Sequence, residues 1–174
     1  AYEAFYKQDI ISVTIPESIV TIEDYAFYGC EKLVEVYNYS DLDITAGDYD
    51  HGYVAEYAYN VYTNPSAVSK LFITDDGYAF YKTDEGTYLC WYEGKDKNLT
   101  FPSTFEGKTY SIGKRAFYDN KTIESVVIPE GVTTIGENAF YYCSLKKITL
   151  PKSLAKTEDY AFLLPSDCSV YYNG

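Results

Sequence analysis

The sequence predicts an α/β solenoid, a right-handed superhelix of short strands and one- to two-turn helices that carries a β-hairpin or meander insert. A unit of about 23 residues recurs at both ends of the chain. Each unit joins an apolar run of period two to a short segment with helical spacing. Because one unit cannot bury its apolar side alone, we expect the copies to stack.

Three copies of the unit align directly and a fourth aligns with an insertion. The direct copies span residues 11–33, 124–145 and 146–168, and the fourth spans 100–123 if about four extra residues follow Pro102. Half a copy opens the chain at Ala4-Phe5. We interpret residue 146 onward as a C-terminal cap, and truncation of a longer array is the alternative.

Each copy begins with a predicted strand that has one buried face. Apolar residues alternate there, as in Val13 and Ile15 or Val126 and Ile128. A proline follows and ends the strand, because proline cannot donate a hydrogen bond to a continuing ladder.

The second half of each copy predicts a helix of one or two turns. Ala26, Phe27 and Cys30 fall at positions i, i+1 and i+4, and the other copies repeat the Ala-Phe pair. The acidic pairs before it, Glu23-Asp24 and Glu158-Asp159, are expected to lie exposed at the start of that helix.

Residues 37–99 depart from the repeat and predict a tyrosine-rich insert. Residues 52–63 resemble a degenerate copy in which Ala58-Tyr59 replaces Ala-Phe. Three β-type runs follow at 71–73, 78–81 and 87–92, and Asp76-Gly77 and Glu85-Gly86 favour tight turns between them. We therefore predict a meander, either packed on the flank of the solenoid or exposed. The chain would be one continuous domain with N-terminal repeats in 1–36, the insert in 37–99, and C-terminal repeats and cap in 100–174.

The repeats resemble the BspA-like leucine-rich repeats of bacterial surface proteins. Ile128-Pro129, Val132, Ile135-Gly136, Ala139-Phe140, Cys143 and Leu145 match that unit, and residues 15–33 match it similarly. The resemblance implies a leucine-rich-repeat solenoid from an exported or surface-attached protein that takes part in adhesion. It carries no ligand-contacting residues, since its fixed positions are core positions.

The amino-acid composition limits the classes of partner that we expect for the chain. With 14 basic and 26 acidic residues, the net charge of −12 would repel nucleic acid and anionic membranes. No apolar run is long enough for a transmembrane helix, and the N-terminus lacks the pattern of a signal peptide. Having no methionine and starting within a repeat, the chain is expected to be an excised or processed part of a longer protein.

The residues predict no catalytic, cofactor-binding or metal site. We interpret Cys30, Cys90, Cys143 and Cys168 as structural thiols rather than disulfides. His51 is the single histidine, so histidine-based zinc sites and Cys–His or Ser–His catalysis have no basis. The acidic pairs could in principle serve a glycosidase, but their recurrence at one repeat position favours a structural explanation.

Three hypotheses follow for function. The first is a non-catalytic, secreted or cell-surface module that binds a protein of a host or of the extracellular matrix. The second is a structural spacer in a larger surface protein, and the third is a carbohydrate-binding module. The ligand-binding residues stay unknown, although tyrosine density directs attention to residues 53–62 and 78–92.

Overall fold

Parallel strands from successive coils form most of the regular secondary structure. The computed structural model describes residues 1–173. The chain divides into two units, Ala1–Lys70 and Leu71–Gly174, and the division falls inside the predicted insert. Each unit has its own buried apolar cluster.

The first unit contains one sheet of three parallel strands. They are β1 (Ser12–Ile15), β2 (Glu35–Asn38) and β3 (Asn60–Tyr62), in the order β1-β2-β3. A four-residue turn, α1 (Asp50–Tyr53), precedes β3, and its His51 and Gly52 are left-handed. The predicted strand of the first complete repeat is confirmed by β1, which ends at the residue before Pro16.

The second unit contains three sheets. The elements are β4 (Leu71–Ile73), β5 (Tyr78–Lys82), β6 (Thr87–Tyr92), β7 (Asn98–Thr100), β8 (Ser111–Ile112), β9 (Ser125–Val127), β10 (Thr134–Ile135), β11 (Phe140–Tyr141), β12 (Lys147–Leu150), β13 (Lys156–Thr157), β14 (Phe162–Leu163) and β15 (Ser169–Tyr172). The sheet orders are β13-β10-β8-β6-β5-β4, β11-β14 and β15-β12-β9-β7. All pairs are parallel except those of β5 with β4 and β6.

The predicted meander is confirmed by β4, β5 and β6, which pair antiparallel in sequence order. Its placement differs from both expectations. Strand β6 pairs in parallel with β8, so the meander continues a sheet of the solenoid edge to edge. It is neither packed on a flank nor an exposed aromatic layer, since Phe80, Tyr81 and Leu89 are fully buried.

The helices expected at the Ala-Phe segments do not form, so the predicted α/β class is wrong and the coils are almost entirely strand and turn. The residue before each alanine is left-handed, with φ of 57° at Tyr25, 53° at Arg115 and 54° at Asn138. A left-handed residue interrupts a right-handed helix. Hydrogen bonds then close over three residues, as from the Ala26 amide to the Glu23 carbonyl at 3.2 Å.

The amides freed from a helix bond to the next coil instead. The Phe27 amide donates to the Gly52 carbonyl at 2.8 Å, and the Phe117 amide donates to the Ala139 carbonyl at 2.8 Å. This inter-coil ladder satisfies the buried backbone groups that a helix would have satisfied internally.

The same ladder corrects the alignment of the degenerate copy. Because Phe27 bonds to Gly52, the Ala-Phe position of the third coil is Gly52-Tyr53 and not Ala58-Tyr59. Ala58 takes the position of Leu33, since β2 pairs with β3 in that register. A Cβ on Gly52, whose φ is +65°, would lie 2.3 Å from the Glu23 carbonyl oxygen, so alanine does not fit there.

Stacked phenylalanines connect the coils inside each unit. In the second unit, the ring centroids of Phe117 and Phe140 are 5.2 Å apart, and those of Phe140 and Phe162 are 5.6 Å apart, with interplanar angles of 3° and 7°. In the first unit, Phe5 stacks on Phe27 at 4.9 Å. Phenylalanine therefore fills the space between successive coils in each unit.

Candidate functional site

A tyrosine that is exposed or partly exposed directly follows four of the Ala-Phe pairs of the repeat. These tyrosines are Tyr6, Tyr28, Tyr118 and Tyr141, whereas a fifth Ala-Phe-Tyr sequence ends at Tyr81 in β5, which is buried. In the second coil Ala26 and Phe27 are buried, whereas Tyr28 is exposed. The turn between the left-handed residues Tyr25 and Gly29 thus divides the motif into two inward side chains and one outward side chain.

In the first unit these tyrosines join others in one continuous aromatic surface. We call it the tyrosine surface, and its members are Tyr2, Tyr6, Tyr25, Tyr28, Tyr49 and Tyr53. The ring centroid of Tyr28 lies 5.8 Å from that of Tyr6, 5.7 Å from that of Tyr25 and 5.1 Å from that of Tyr53. Tyr28 therefore contacts rings of both neighbouring coils.

Further ring contacts extend the tyrosine surface beyond the neighbours of Tyr28. Tyr25 stacks on Tyr53 at 5.3 Å, Tyr2 meets Tyr25 edge-on at 5.9 Å, and Tyr49 meets Tyr53 edge-on at 6.0 Å. The side chains of Tyr2 and Tyr49 are 63% and 56% exposed. Aromatic residues presented in contact with each other at this exposure are typical of interaction surfaces.

Carboxylates lie beside the tyrosine surface. Glu3, Asp24 and Asp50 are sequence neighbours of its tyrosines, and all three are exposed. Partial desolvation and then the charge of Glu3 raise the pKa of Tyr2. Lys7 places its Nζ 5.2 Å from the ring centroid of Tyr6, so one cation of the chain already rests on this surface.

The second unit has a smaller group of tyrosines at the same repeat positions. Tyr118 stacks on Tyr141 at 5.9 Å, and Tyr141 also contacts Tyr142 and Tyr160. The charges beside this group differ from those beside the tyrosine surface, because the guanidinium of Arg115 lies 4.8 Å from the ring centroid of Tyr118. This group is thus partly covered by a cation of its own unit.

Most aromatic side chains of the two segments that the sequence analysis selected, residues 53–62 and 78–92, are buried or partly buried. Tyr78 and Trp91 in residues 78–92 are buried, and the Tyr78 hydroxyl donates to the Thr100 carbonyl at 3.2 Å. Of residues 53–62, Tyr53 belongs to the tyrosine surface, and Tyr62 stacks on Tyr37 at 5.0 Å. Sequence reasoning missed the rest, although the repeated Ala-Phe-Tyr motif was a signal that could have found Tyr6 and Tyr28.

The acidic pairs are exposed as predicted, but they do not begin helices. Glu23-Asp24 and Glu158-Asp159 lie in turns before a left-handed tyrosine. Glu158 accepts a hydrogen bond from Lys156 at 3.0 Å and one from the Glu137 amide at 3.3 Å. Their shared position reflects the turn and not a helix dipole.

The cysteine positions agree with a structural role. Cys30 and Cys143 are buried free thiols at one repeat position. Each Sγ lies within hydrogen-bonding distance of the phenylalanine carbonyl of the preceding coil, 2.9 Å from Phe5 O and 2.7 Å from Phe117 O. Burial raises the pKa of Cys143 to about 12, which disfavours the reactive thiolate.

His51, the single histidine, takes the left-handed position before Gly52 in the third coil. Its Nε2 lies 3.2 Å from the Asp43 carbonyl oxygen. Over residues 1–173 no group of three or more histidine, cysteine or acidic side chains has a metal-binding arrangement. In the same part of the chain, no helix combines the length and apolarity needed to cross a membrane.

Coils with this strand, turn and inter-coil ladder define a leucine-rich-repeat protein. The chain belongs to the family described as the BspA type Leucine rich repeat region, since six copies of the family model match residues 1–47 and 86–171. The Gly52-Tyr53 turn of the third coil lies outside both matched ranges and continues the inter-coil hydrogen bonds nevertheless.

Two solved structures are similar to this chain. One is a leucine-rich repeat protein from Bacteroides capillosus ATCC 29799, 22% identical with a TM-score of 0.42, and the match covers 61% of this chain and all of that one. The other is a leucine rich cell surface protein from Faecalibacterium prausnitzii A2-165, 14% identical with a TM-score of 0.37. That match covers 99% of this chain but only 62% of the other protein. No curated protein matches the chain.

Proposed function

We propose that this chain is a non-catalytic interaction module of a secreted or cell-surface protein and that it binds a protein through the tyrosine surface. The observation that carries the proposal is the continuity of six exposed or partly exposed tyrosines over three coils. Tyrosine offers a large contact area with little loss of side-chain entropy and a hydroxyl for hydrogen bonds. Membership in the BspA type family supports the surface location and the role in adhesion.

The two alternatives predict other surfaces. A spacer has no need for a continuous aromatic patch, which raises the risk of aggregation when it has no partner. A carbohydrate site presents broad open ring faces for stacking, whereas Tyr6 with Tyr28 and Tyr25 with Tyr53 each cover one face of the other and leave at most one face to a narrow group such as a guanidinium. The exposed ring edges and hydroxyls suit a protein partner better.

The test compares two double variants against immobilised extracellular-matrix proteins and a glycan array. Tyr25→Ser with Tyr28→Ser removes the centre of the tyrosine surface. Tyr171→Ser with Tyr172→Ser removes two exposed tyrosines of β15 in the second unit and serves as the matched control. Since central aromatic residues dominate interface energies, we expect the first variant to weaken protein binding by roughly thirtyfold and the control by less than about twofold.

Circular dichroism and thermal melting of both variants serve as the control that each is folded. Binding to glycans alone would contradict the proposal in favour of the carbohydrate-binding alternative. A folded wild-type chain that binds none of the proteins would contradict it in favour of a spacer. Equal losses in the two variants would place the binding surface elsewhere.

A further inference from the structure

We infer that the partner segment seated on the tyrosine surface is basic, rich in arginine or lysine. This inference rests on the proposed function and names the chemistry of its partner. It follows from the distribution of charge between the two units, from the carboxylates that border the tyrosines, and from the cations that already lie on the equivalent rings.

The negative charge of the chain is concentrated in the first unit. That unit contains 12 acidic residues against 3 lysines, a formal charge of −9, whereas the second contains 14 acidic residues against 11 basic ones, a formal charge of −3. The field around the tyrosine surface is therefore strongly negative and attracts a cationic segment while repelling an acidic one.

The carboxylates of the first unit lie on adjacent coils without cations between them. Asp24 and Asp50 each stand two residues before the Ala-Phe position of their coils, and those coils are joined by the bond from Phe27 to Gly52. Among residues 1–173 neither carboxylate has an ion-pair partner. Both carboxylates are therefore available to a cation of a partner.

In the second unit, charges at the same repeat positions are neutralised by residues of that unit. Lys114 and Glu137 stand at the positions of Asp24 and Asp50 on adjacent coils, and their ion pair measures 3.2 Å. Arg115 lies over the ring of Tyr118. In the first unit Asp24 takes the place of Lys114 and Tyr25 takes that of Arg115, so these positions carry no basic residue.

Tyrosine rings are themselves suited to cations. Lys7 lies over Tyr6 at 5.2 Å, an internal example of an ammonium group on this surface. Arginine fits such a surface best, because its planar guanidinium stacks on aromatic rings and forms paired hydrogen bonds to carboxylates. The combination of rings and carboxylates therefore selects a basic segment over a neutral one.

The probe is a labelled synthetic peptide with six arginines separated by glycine and serine, and its matched control carries glutamine at the six positions. Fluorescence anisotropy with the full chain gives the dissociation constants at low and physiological salt. We expect the arginine peptide to bind at least about tenfold more tightly than the glutamine peptide, with an advantage that shrinks as salt screens the charges.

Two double variants of the chain locate the binding. Asp24→Asn with Asp50→Asn should weaken binding of the arginine peptide by about three- to tenfold, the worth of two exposed ion pairs. Asp75→Asn with Asp76→Asn changes the net charge equally at the exposed turn between β4 and β5, and should have less than about a twofold effect. Tyr25→Ser with Tyr28→Ser should also weaken binding of the peptide.

Equal weakening by both aspartate variants would overturn the inference, because the peptide would then follow bulk charge. Equal affinity for the arginine and glutamine peptides would overturn it as well. If the arginine peptide does not bind but tyrosine-dependent binding to a matrix protein persists, the inference is wrong and the proposed function stands. If both are absent, the proposed function fails with it.

Discussion

Single left-handed residues determine the conformation of each coil. Tyr25, Arg115, Asn138 and Tyr160 all have φ between 52° and 57° directly before an alanine. Of these residue types, only asparagine favours the left-handed region of φ and ψ. The left-handed conformation therefore belongs to the position in the coil and is stabilised by the inter-coil hydrogen bonds that it makes possible.

Gly52 provides a test at the residue scale. Gly52→Ala should lower the free energy of unfolding by about 1–3 kcal/mol more than Gly47→Ala does, because a Cβ at Gly52 meets the Glu23 carbonyl whereas one at Gly47 meets nothing within 4 Å. Both glycines have positive φ, so the control carries the backbone cost of roughly 1–2 kcal/mol alone. Urea unfolding measures both, and equal losses would contradict the proposed clash.

At the scale of the element, the strands could be predicted from the sequence, whereas the segments predicted as helices are turns. The alternation of Val126 and Ile128 or of Ile148 and Leu150 needs one buried face, and a strand is the structure that offers it. The i, i+1, i+4 spacing of Ala, Phe and Cys fits a helix but also fits consecutive turns. Only the adjacent coil, which accepts the amide hydrogen bonds, decides between the two.

The phenylalanine stack provides a test at this scale. Phe140 lies fully buried between Phe117 and Phe162, so Phe140→Ala should cost about 3–5 kcal/mol through lost burial and a cavity. Phe162→Ala should cost less than half of that, because Phe162 is only partly buried and its one stacked neighbour is Phe140. Urea unfolding compares the two variants, and equal costs would show that the stack does not couple the coils.

At the scale of the whole molecule, the large number of tyrosines links stability to alkaline pH. Burial, followed by the charge of Tyr92, raises the pKa of Tyr78 to about 12, and burial also raises the pKa of Tyr110, whose hydroxyl donates to the Pro102 carbonyl at 2.6 Å. An unfolded tyrosine ionises near pH 10. Above that pH the native state holds more protons than the unfolded state.

The free energy of unfolding should therefore fall as pH rises from about 10 to about 12, and the contribution of these tyrosines should be complete below about pH 10. Urea unfolding across this range, with phenolate absorbance recorded in parallel, measures the effect. Tyr78→Phe removes one of the ionising groups and should flatten the dependence. An unchanged pH dependence in that variant would refute the assignment to Tyr78.

The sequence by itself determined the repeat, the strands, the proline stops and the inward direction of Ala, Phe and Cys, because burial of apolar side chains leaves a periodic record. Only the tertiary structure decided that the second half of each coil is turn, that Gly52-Tyr53 is the degenerate motif and that Tyr28 joins rings from neighbouring coils. Those outcomes depend on hydrogen bonds and ring contacts between residues about one coil apart. No local pattern records such contacts, since each coil acquires its partners only when the coils have stacked.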